Sequence, residues 1–197
     1  MLTKYAVAAA AAALIPVAAS AQSAGEAMPY IGLQGGYHYF DEFDLSEFGG
    51  SDDYTVDGLI YGAYAGVHVP VGTSGLIVGA EGNFNFGSSV IDNDYGLSAH
   101  VGYDIGGGSV VFLRGGYQWV NLDIKELASE LNDELGGDDD DLEDILDELD
   151  TSDDTDGDYL VGVGGDFAVG QSTALRLAVD TISFDTVRLT AGAGFRF

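Results

Sequence analysis

The last twelve residues of the chain, Thr186–Phe197, alternate between apolar and polar positions with a period of two. One face carries Val187, Leu189, Ala191, Ala193, Phe195 and Phe197. The other face carries Arg188, Thr190, Gly192, Gly194 and Arg196. Because successive side chains of a β-strand point to opposite sides, this pattern predicts a strand with one apolar and one polar face.

Seven further stretches show a similar alternation. They are Tyr30–Phe40, Gly58–Val69, Leu76–Phe86, Tyr95–Ile105, Val110–Asn121, Tyr159–Val169 and Thr173–Ile182. The eight predicted strands span 10 to 12 residues each; their odd-numbered connections hold 17, 8, 37 and 3 residues, and the even-numbered ones hold 3 to 6. An even strand count with short turns on one side and mostly longer loops on the other is typical of bacterial outer-membrane barrels. The pattern therefore predicts an all-β fold, an eight-stranded antiparallel up-and-down transmembrane β-barrel.

The apolar faces favour a membrane barrel over a soluble one. No residue on them is charged, whereas a soluble barrel carries polar residues on its exterior. Aromatic residues of the loop ends are Tyr37, Tyr39, Tyr61, Phe84, Phe86, Tyr95, Tyr117, Trp119 and Tyr159. Those of the turn ends are Tyr103, Phe167, Phe195 and Phe197. Two aromatic girdles around an aliphatic band indicate an exterior in contact with outer-membrane lipid.

The first residues have the composition of an export signal. Lys4 provides a positive start, Tyr5–Ala18 is apolar, and Ala19-Ser20-Ala21 is a small-residue cleavage site. A transmembrane helix is the alternative, but it needs a run of about 20 apolar residues. We therefore expect a cleaved signal peptide over residues 1–21, a short lead over 22–29 and a barrel over 30–197 with a surface loop over 122–158.

Charge and cysteine content narrow the class of protein further. The chain has 33 acidic and 6 basic residues; loss of Lys4 with the signal peptide leaves 5 bases and a formal charge of −28. Such a surface is a poor match for nucleic acid, which binds clustered lysine and arginine. Cysteine is absent, so an exported chain of this kind is stabilised by means other than disulfides.

Two segments resemble a known family. The block Asp94–Val120, with D-Y-G-L-S-A-H-V-G-Y-D-I and V-F-L-R-G-G-Y-Q-W-V, looks like the central hairpin of porin-family outer-membrane barrels, which are similar to OmpA/OmpX-type transmembrane domains and opacity-type surface antigens. The terminal G-A-G-F-R-F resembles the signal read by the barrel assembly machinery, with Phe195 and Phe197 as its aromatics. The resemblance implies the Gram-negative outer membrane and a role as a surface antigen, but not a pore.

The polar faces predict a charged lumen. The inward-facing charges are Glu81, Asp104, Arg114, Asp166, Arg176, Asp180, Arg188 and Arg196. We expect ion pairs between Asp166 and Arg176, and between Asp180 and Arg188, on neighbouring strands. Because the interior of an eight-stranded barrel is just wide enough to be filled by side chains, the sequence predicts a plugged lumen and a structural or surface-interaction role. A narrow passive channel for small solutes or ions is the alternative.

The sequence contains little that indicates catalysis or cofactor binding. His38, His68 and His100 face the lumen on three strands, and we expect them at three different depths, as packed residues rather than a metal site or a general base. No serine–histidine pair is evident, so we expect no enzyme and no cofactor. The glycine run Gly162–Gly165 ends no strand-to-helix turn and is not a dinucleotide loop.

The connection Leu122–Asp158 holds 18 of the 33 acidic residues. Its leucines recur at helical spacing on both sides of Gly136-Gly137, which predicts two short amphipathic helices; a disordered acidic loop is the alternative. It is either a hydrated surface loop, a site for a divalent cation, or a site for a basic surface partner. The carboxylates for a cation are Asp153, Asp154, Asp156 and Asp158.

Overall fold

The computed structural model describes residues 26–40, 57–88, 91–122 and 155–197. These residues form eight strands. They are β1 Met28–Phe40, β2 Asp57–Val71, β3 Leu76–Gly87, β4 Ile91–Gly106, β5 Ser109–Leu122, β6 Thr155–Ala168, β7 Thr173–Ile182 and β8 Thr186–Arg196. Among the described residues, no helix is both long and apolar enough to cross a membrane.

The strands close into one antiparallel barrel in the order β1 to β8. The seam pairs β1 with β8, from Tyr30 opposite Arg196 to Phe40 opposite Thr186. Closure leaves no sheet edge with unpaired backbone groups, which is the condition for a sheet to lie in hydrocarbon. The predicted fold class, an eight-stranded antiparallel up-and-down barrel, is confirmed.

Side chains alternate between a buried interior and an exposed exterior. Along β7 the burial pattern changes at nearly every residue. The exterior exposes large apolar side chains, such as Leu33 at 71% and Leu113 at 62%, while Arg188 in the interior is fully buried. This arrangement inverts that of a soluble protein, because it places charge inside and apolar surface outside.

Two strands begin four residues earlier than the alternation predicts. β4 starts at Ile91 rather than Tyr95, and β6 starts at Thr155 rather than Tyr159. The added residues of β4 are strongly polar, which is typical of a loop, but they pair with β5, with Asp94 opposite Val120. Polarity misled the prediction here because Asp94 is fully buried in the lumen and does not face water.

Several sequence predictions lie outside the described residues. The signal peptide over residues 1–21 is one. The helix pair of the acidic connection is another, together with Asp153 and Asp154. Asp156 and Asp158 fall within β6, opposite Val120 and Gln118 of β5.

Candidate functional site

The charged side chains of the interior meet because the strand register places them side by side. Asp166 of β6 lies opposite Arg176 of β7. Asp180 of β7 lies opposite Arg188 of β8. All four residues occupy the alternate positions whose side chains point into the barrel. Their side chains therefore lie together at the barrel centre.

Arg176 lies at the turn-end side of this cluster. Its Nε donates to Asp166 Oδ1 at 2.7 Å and its Nη2 donates to Asp166 Oδ2 at 2.8 Å. Its Nη1 donates to Glu81 Oε2. The guanidinium carbon also lies 4.0 Å from the ring centroid of Tyr64, 5.1 Å from that of Tyr30 and 5.3 Å from that of Phe112. The guanidinium group of Arg176 therefore donates hydrogen bonds to two carboxylates and also contacts aromatic rings.

Glycines make room for two of these rings. A Cβ on Gly32 would meet the ring of Tyr64, and a Cβ on Gly66 would meet the ring of Tyr30. These inward glycines therefore allow large side chains to enter a narrow lumen.

Arg114 and Glu81 link the cluster across the barrel. Arg114 donates twice to Asp180, from Nε and Nη2 at 2.6 Å each, and from Nη1 to Glu81 Oε1 at 2.8 Å. Glu81 also accepts the Tyr30 hydroxyl at 2.8 Å. One carboxylate of β3 thus receives two guanidinium groups and a phenol.

The cluster extends toward the loop end through Arg188. Its Nη2 lies 3.2 Å from Asp180 Oδ2 and its Nη1 lies 3.4 Å from Asp94 Oδ2. Asp94 also accepts Gln118 Nε2 at 3.0 Å and the Asn85 amide. Sequence reasoning missed Asp94 by assigning it to a loop, although its position next to the outward-facing Tyr95 indicated that it faces inward.

Burial makes these pairs strongly interdependent. We call the three guanidiniums and four carboxylates the lumen network: Glu81, Asp94, Arg114, Asp166, Arg176, Asp180 and Arg188. Each of the seven is 5% exposed or less. Removing one member of a buried pair leaves its partner uncompensated in a medium of low dielectric constant, which is strongly destabilising.

Apolar clusters lie near both ends of the lumen network. Toward the loops, Ile60, Ile91 and Val120 form a buried cluster. Toward the turns, a second cluster packs against Met28. It consists of Ile77, Val110 and Phe112. Apolar side chains thus pack beside the buried charges near each end of the lumen network.

The histidines are arranged differently from the prediction. His68 and His100 do not lie at separate depths: their ring centroids are 4.9 Å apart with an edge-on orientation. His68 Nε2 lies 3.8 Å from Asp166 Oδ2, too far for a hydrogen bond. His38 lies nearer the loop end, opposite Arg188. Spacing along each strand did not reveal that the register between β2, β3 and β4 brings two rings together.

Two predicted members of the lumen charge set do not join the lumen network. Asp104 is exposed and accepts the Gly106 backbone N–H at 2.7 Å, where β4 and β5 shift register. Arg196 donates to the Gly108 carbonyl at the turn-end mouth. Both charges therefore lie at the turn-end mouth of the barrel and not in the buried centre.

The remaining predicted residues lie on the exterior or the rim. Phe195 and Phe197 are exposed and their ring centroids are 6.2 Å apart. The Phe197 N–H donates to the Pro29 carbonyl at 3.2 Å. Asp158 accepts the Tyr159 N–H at 2.6 Å. Within the described residues, no group of three or more His, Asp or Glu side chains is arranged to hold a metal ion.

A closed barrel with an apolar exterior and a charged, filled interior defines an integral membrane β-barrel. Residues 7–197 match the family model described as "Outer membrane protein beta-barrel domain". The chain belongs to this family, which confirms the predicted family and the Gram-negative outer membrane as its location. A search of curated proteins gives no match.

The chain is also similar to several solved structures. Neisserial surface protein A is 14% identical, with a TM-score of 0.49 over 86% of this chain and 97% of that one. The N-terminal barrel of Pseudomonas aeruginosa OprF is 12% identical, with a TM-score of 0.49 over 88% and 99%. Ail of Yersinia pestis, solved with the heparin analogue sucrose octasulfate, is 14% identical, with a TM-score of 0.47 over 86% and 99%.

Proposed function

We propose that this protein is a non-conducting, non-catalytic outer-membrane barrel whose lumen is a structural plug and whose strands hold acidic loops at the cell surface. The observation that carries the proposal is the buried lumen network, which is flanked by an apolar cluster near each end. Ions crossing the barrel would have to displace the buried ion pairs and the apolar side chains packed beside them. Removal of residues 1–21 during export is part of the proposal.

A plug is the best account of the lumen because its charges are directed at one another. The guanidiniums of Arg114 and Arg176 each make bidentate contacts with one carboxylate and a further contact with Glu81. Bidentate arginine–carboxylate pairs hold fixed geometry. Such groups stabilise a packed interior and do not present free charge to a passing ion.

The acidic connection between β5 and β6 is the best candidate for interaction at the surface. It carries most of the excess negative charge of the chain, and β5 and β6 present it beyond the aromatic girdle. We propose a hydrated surface loop as its basic role. A divalent cation at Asp153, Asp154, Asp156 and Asp158, or a basic surface partner, is the more specific form of the same proposal.

A narrow cation path is the second candidate function. The lumen network holds four carboxylates against three guanidiniums, so its formal charge is negative. Among the buried atoms that have no hydrogen-bond partner in the described residues are Gln34 Oε1, Ser98 Oγ and Thr190 Oγ1. These atoms would bind water if the apolar clusters separated.

Planar-bilayer recording of the refolded full chain tests the plug. We expect no stable single-channel steps from the wild type. Ile60→Ser with Ile91→Ser replaces two members of the loop-end cluster by small polar residues and should produce brief openings. The matched control is Leu113→Ala, a lipid-facing substitution that should leave the recording silent. Stable steps from the wild type would overturn the plug.

Deleting residues 123–154 from the same protein separates the loop from the lumen. This deletion spares both strands, since β5 ends at Leu122 and β6 begins at Thr155. A silent recording after deletion supports a plug formed by the barrel itself. Conductance that appears only after deletion would make the loop a lid and would reject the proposal in its present form.

A further inference from the structure

Aromatic side chains ring the loop end of the barrel on six of its eight strands. We call them the outer aromatic rim: Tyr37, Tyr39, Tyr61, Phe84, Phe86, Tyr95, Tyr117, Trp119 and Tyr159. Neighbouring strands are joined by ring contacts, with centroids 5.5 Å apart for Tyr95 and Trp119 and 5.8 Å apart for Tyr117 and Tyr159. Aromatic residues of this kind lie at the boundary between headgroups and acyl chains.

The outer aromatic rim is interrupted at β7 and β8. Near their loop ends, these strands present Thr181, Val187 and Leu189 at the outward positions. The gap is closed by the turn between them. On one side the Ser183 N–H donates to the Tyr159 carbonyl at 3.0 Å, and on the other side Val187 lies opposite Tyr39 of β1. The turn therefore lies between two members of the rim.

This turn carries Phe184 in an unusual backbone conformation. Ser183 and Phe184 have φ angles of 59° and 67°, and they are the only residues other than glycine with positive φ in the described part of the chain. β-Turns with positive φ at both central residues ordinarily carry Asn-Gly at those positions, because a bulky residue is strained there. Closing the hairpin does not require a phenylalanine, so its presence has another cause.

Phe184 is also highly exposed. Its side chain is 77% exposed, the largest value among the large apolar side chains of the described residues. In water such exposure forgoes the free energy of burying a phenyl ring. At the membrane boundary, the same exposure becomes contact with lipid.

We propose that Phe184 inserts into the headgroup boundary of the outer leaflet and completes the outer aromatic rim across β7 and β8. The partner is lipid, because the turn is continuous with Tyr159 and Tyr39, which already lie at that boundary. The strained turn holds the ring at the level of its neighbours. The proposal goes beyond the proposed function and stands whether or not the lumen conducts.

A tryptophan reporter tests the position of the ring. The chain has one tryptophan, Trp119, so Trp119→Phe with Phe184→Trp places a single indole in the turn. The full chain is refolded into phosphatidylcholine vesicles with acyl chains brominated near the headgroup or near the methyl end. We expect emission shifted to the blue of the denatured chain, and stronger quenching by bromine near the headgroup. Emission like that of the denatured chain, with no quenching by bromine, would overturn the proposal.

A thiol label provides a second measurement with the native tryptophan retained. Cysteine is absent from the chain, so Phe184→Cys and Asp185→Cys each give one site for an environment-sensitive dye. The dye at residue 184 should report an apolar surrounding, and the dye at 185, its neighbour in the turn, should report water. Water-like emission from both dyes would reject insertion of residue 184 into lipid. The same result is expected if the ring instead binds a protein partner that is absent from the vesicles. Far-UV circular dichroism confirms that each variant is folded.

Discussion

Glu81 shows how a single carboxylate can organise a membrane barrel from within. Its side chain is 2% exposed and has no access to bulk solvent. Oε1 accepts Arg114, and Oε2 accepts both Arg176 and the Tyr30 hydroxyl. Because a buried carboxylate without such donors carries a large desolvation penalty, the three donors are a condition for burying the charge.

Glu81→Gln should therefore be strongly destabilising. The substitution keeps the shape but removes the charge that two guanidiniums share, and the loss of one member of a buried ion pair costs about 3–5 kcal/mol. The measurement is the free energy of unfolding by urea in lipid vesicles. Asp104→Asn removes an exposed carboxylate from the same barrel, and its effect should stay within about 0.5 kcal/mol. Equal effects of the two substitutions would contradict the assigned role of Glu81.

At the residue scale, parity was informative, but it gave partners only on neighbouring strands, where the expected pairs Asp166–Arg176 and Asp180–Arg188 are present. Alternation placed Arg114, Arg176 and Arg188 inside from the sequence alone. Their contacts depend on the stagger between strands and on distances across the lumen, which local alternation does not encode. For this reason Glu81 could be assigned to the interior, but its joint contact with Arg114 and Arg176 could not be foreseen.

At the scale of the element, β8 closes the barrel and carries the resemblance to the assembly signal. Its main chain pairs with β1 from Phe40 down to Tyr30, and Phe197 extends this pairing by donating to Pro29. The same terminal residues carry the resemblance to the assembly signal. The last aromatic therefore contributes to the seam as well as to the girdle.

Phe197→Ser should lower the amount of assembled barrel without abolishing export. The variant loses the last aromatic of the proposed assembly signal, which is also an exposed apolar side chain, while residues 1–21 are unchanged. Fractionation of outer membrane and periplasm measures both outcomes. Phe167→Ser removes another exposed aromatic from the turn end, on β6, and should reduce assembly less. Outer-membrane levels of Phe197→Ser equal to wild type would remove the signal function.

Element boundaries were harder to predict than element identity. All eight strands lie where alternation predicts them, because the apolar face is dictated by lipid and is uninterrupted. The starts of β4 and β6 were placed too late, since Asp94 and Asp158 read as loop residues. In a barrel with a polar interior, a polar residue at a strand end can belong either to the strand, facing the lumen, or to the loop that follows it. Sequence alone does not distinguish the two positions.

At the scale of the whole molecule, charge is divided into two environments. The lumen network is buried and paired, whereas the acidic connections carry an unbalanced negative charge. Salt screens exposed charges over about 10 Å at 0.1 M and about 3 Å at 1 M, but it screens buried pairs far less. The two environments should therefore respond differently to ionic strength.

Raising sodium chloride from about 0.1 M to about 1 M should shift the urea midpoint of the wild type upward, because repulsion among acidic residues is screened. The difference in stability between wild type and Glu81→Gln should remain nearly constant over the same range. Urea titration in vesicles at both concentrations measures the two quantities. If the difference in stability between wild type and Glu81→Gln falls toward zero at high salt, water and ions reach Glu81.

The contacts of Glu81 also have a mechanical consequence. Its carboxylate, on β3, is joined to Tyr30 on β1, Arg114 on β5 and Arg176 on β7. All four odd-numbered strands are thus linked through the Glu81 carboxylate in the barrel interior. Flattening the barrel would lengthen some of these contacts and shorten others. The circular cross-section, and with it the spacing of the loops at the cell surface, is held against lateral pressure from the bilayer.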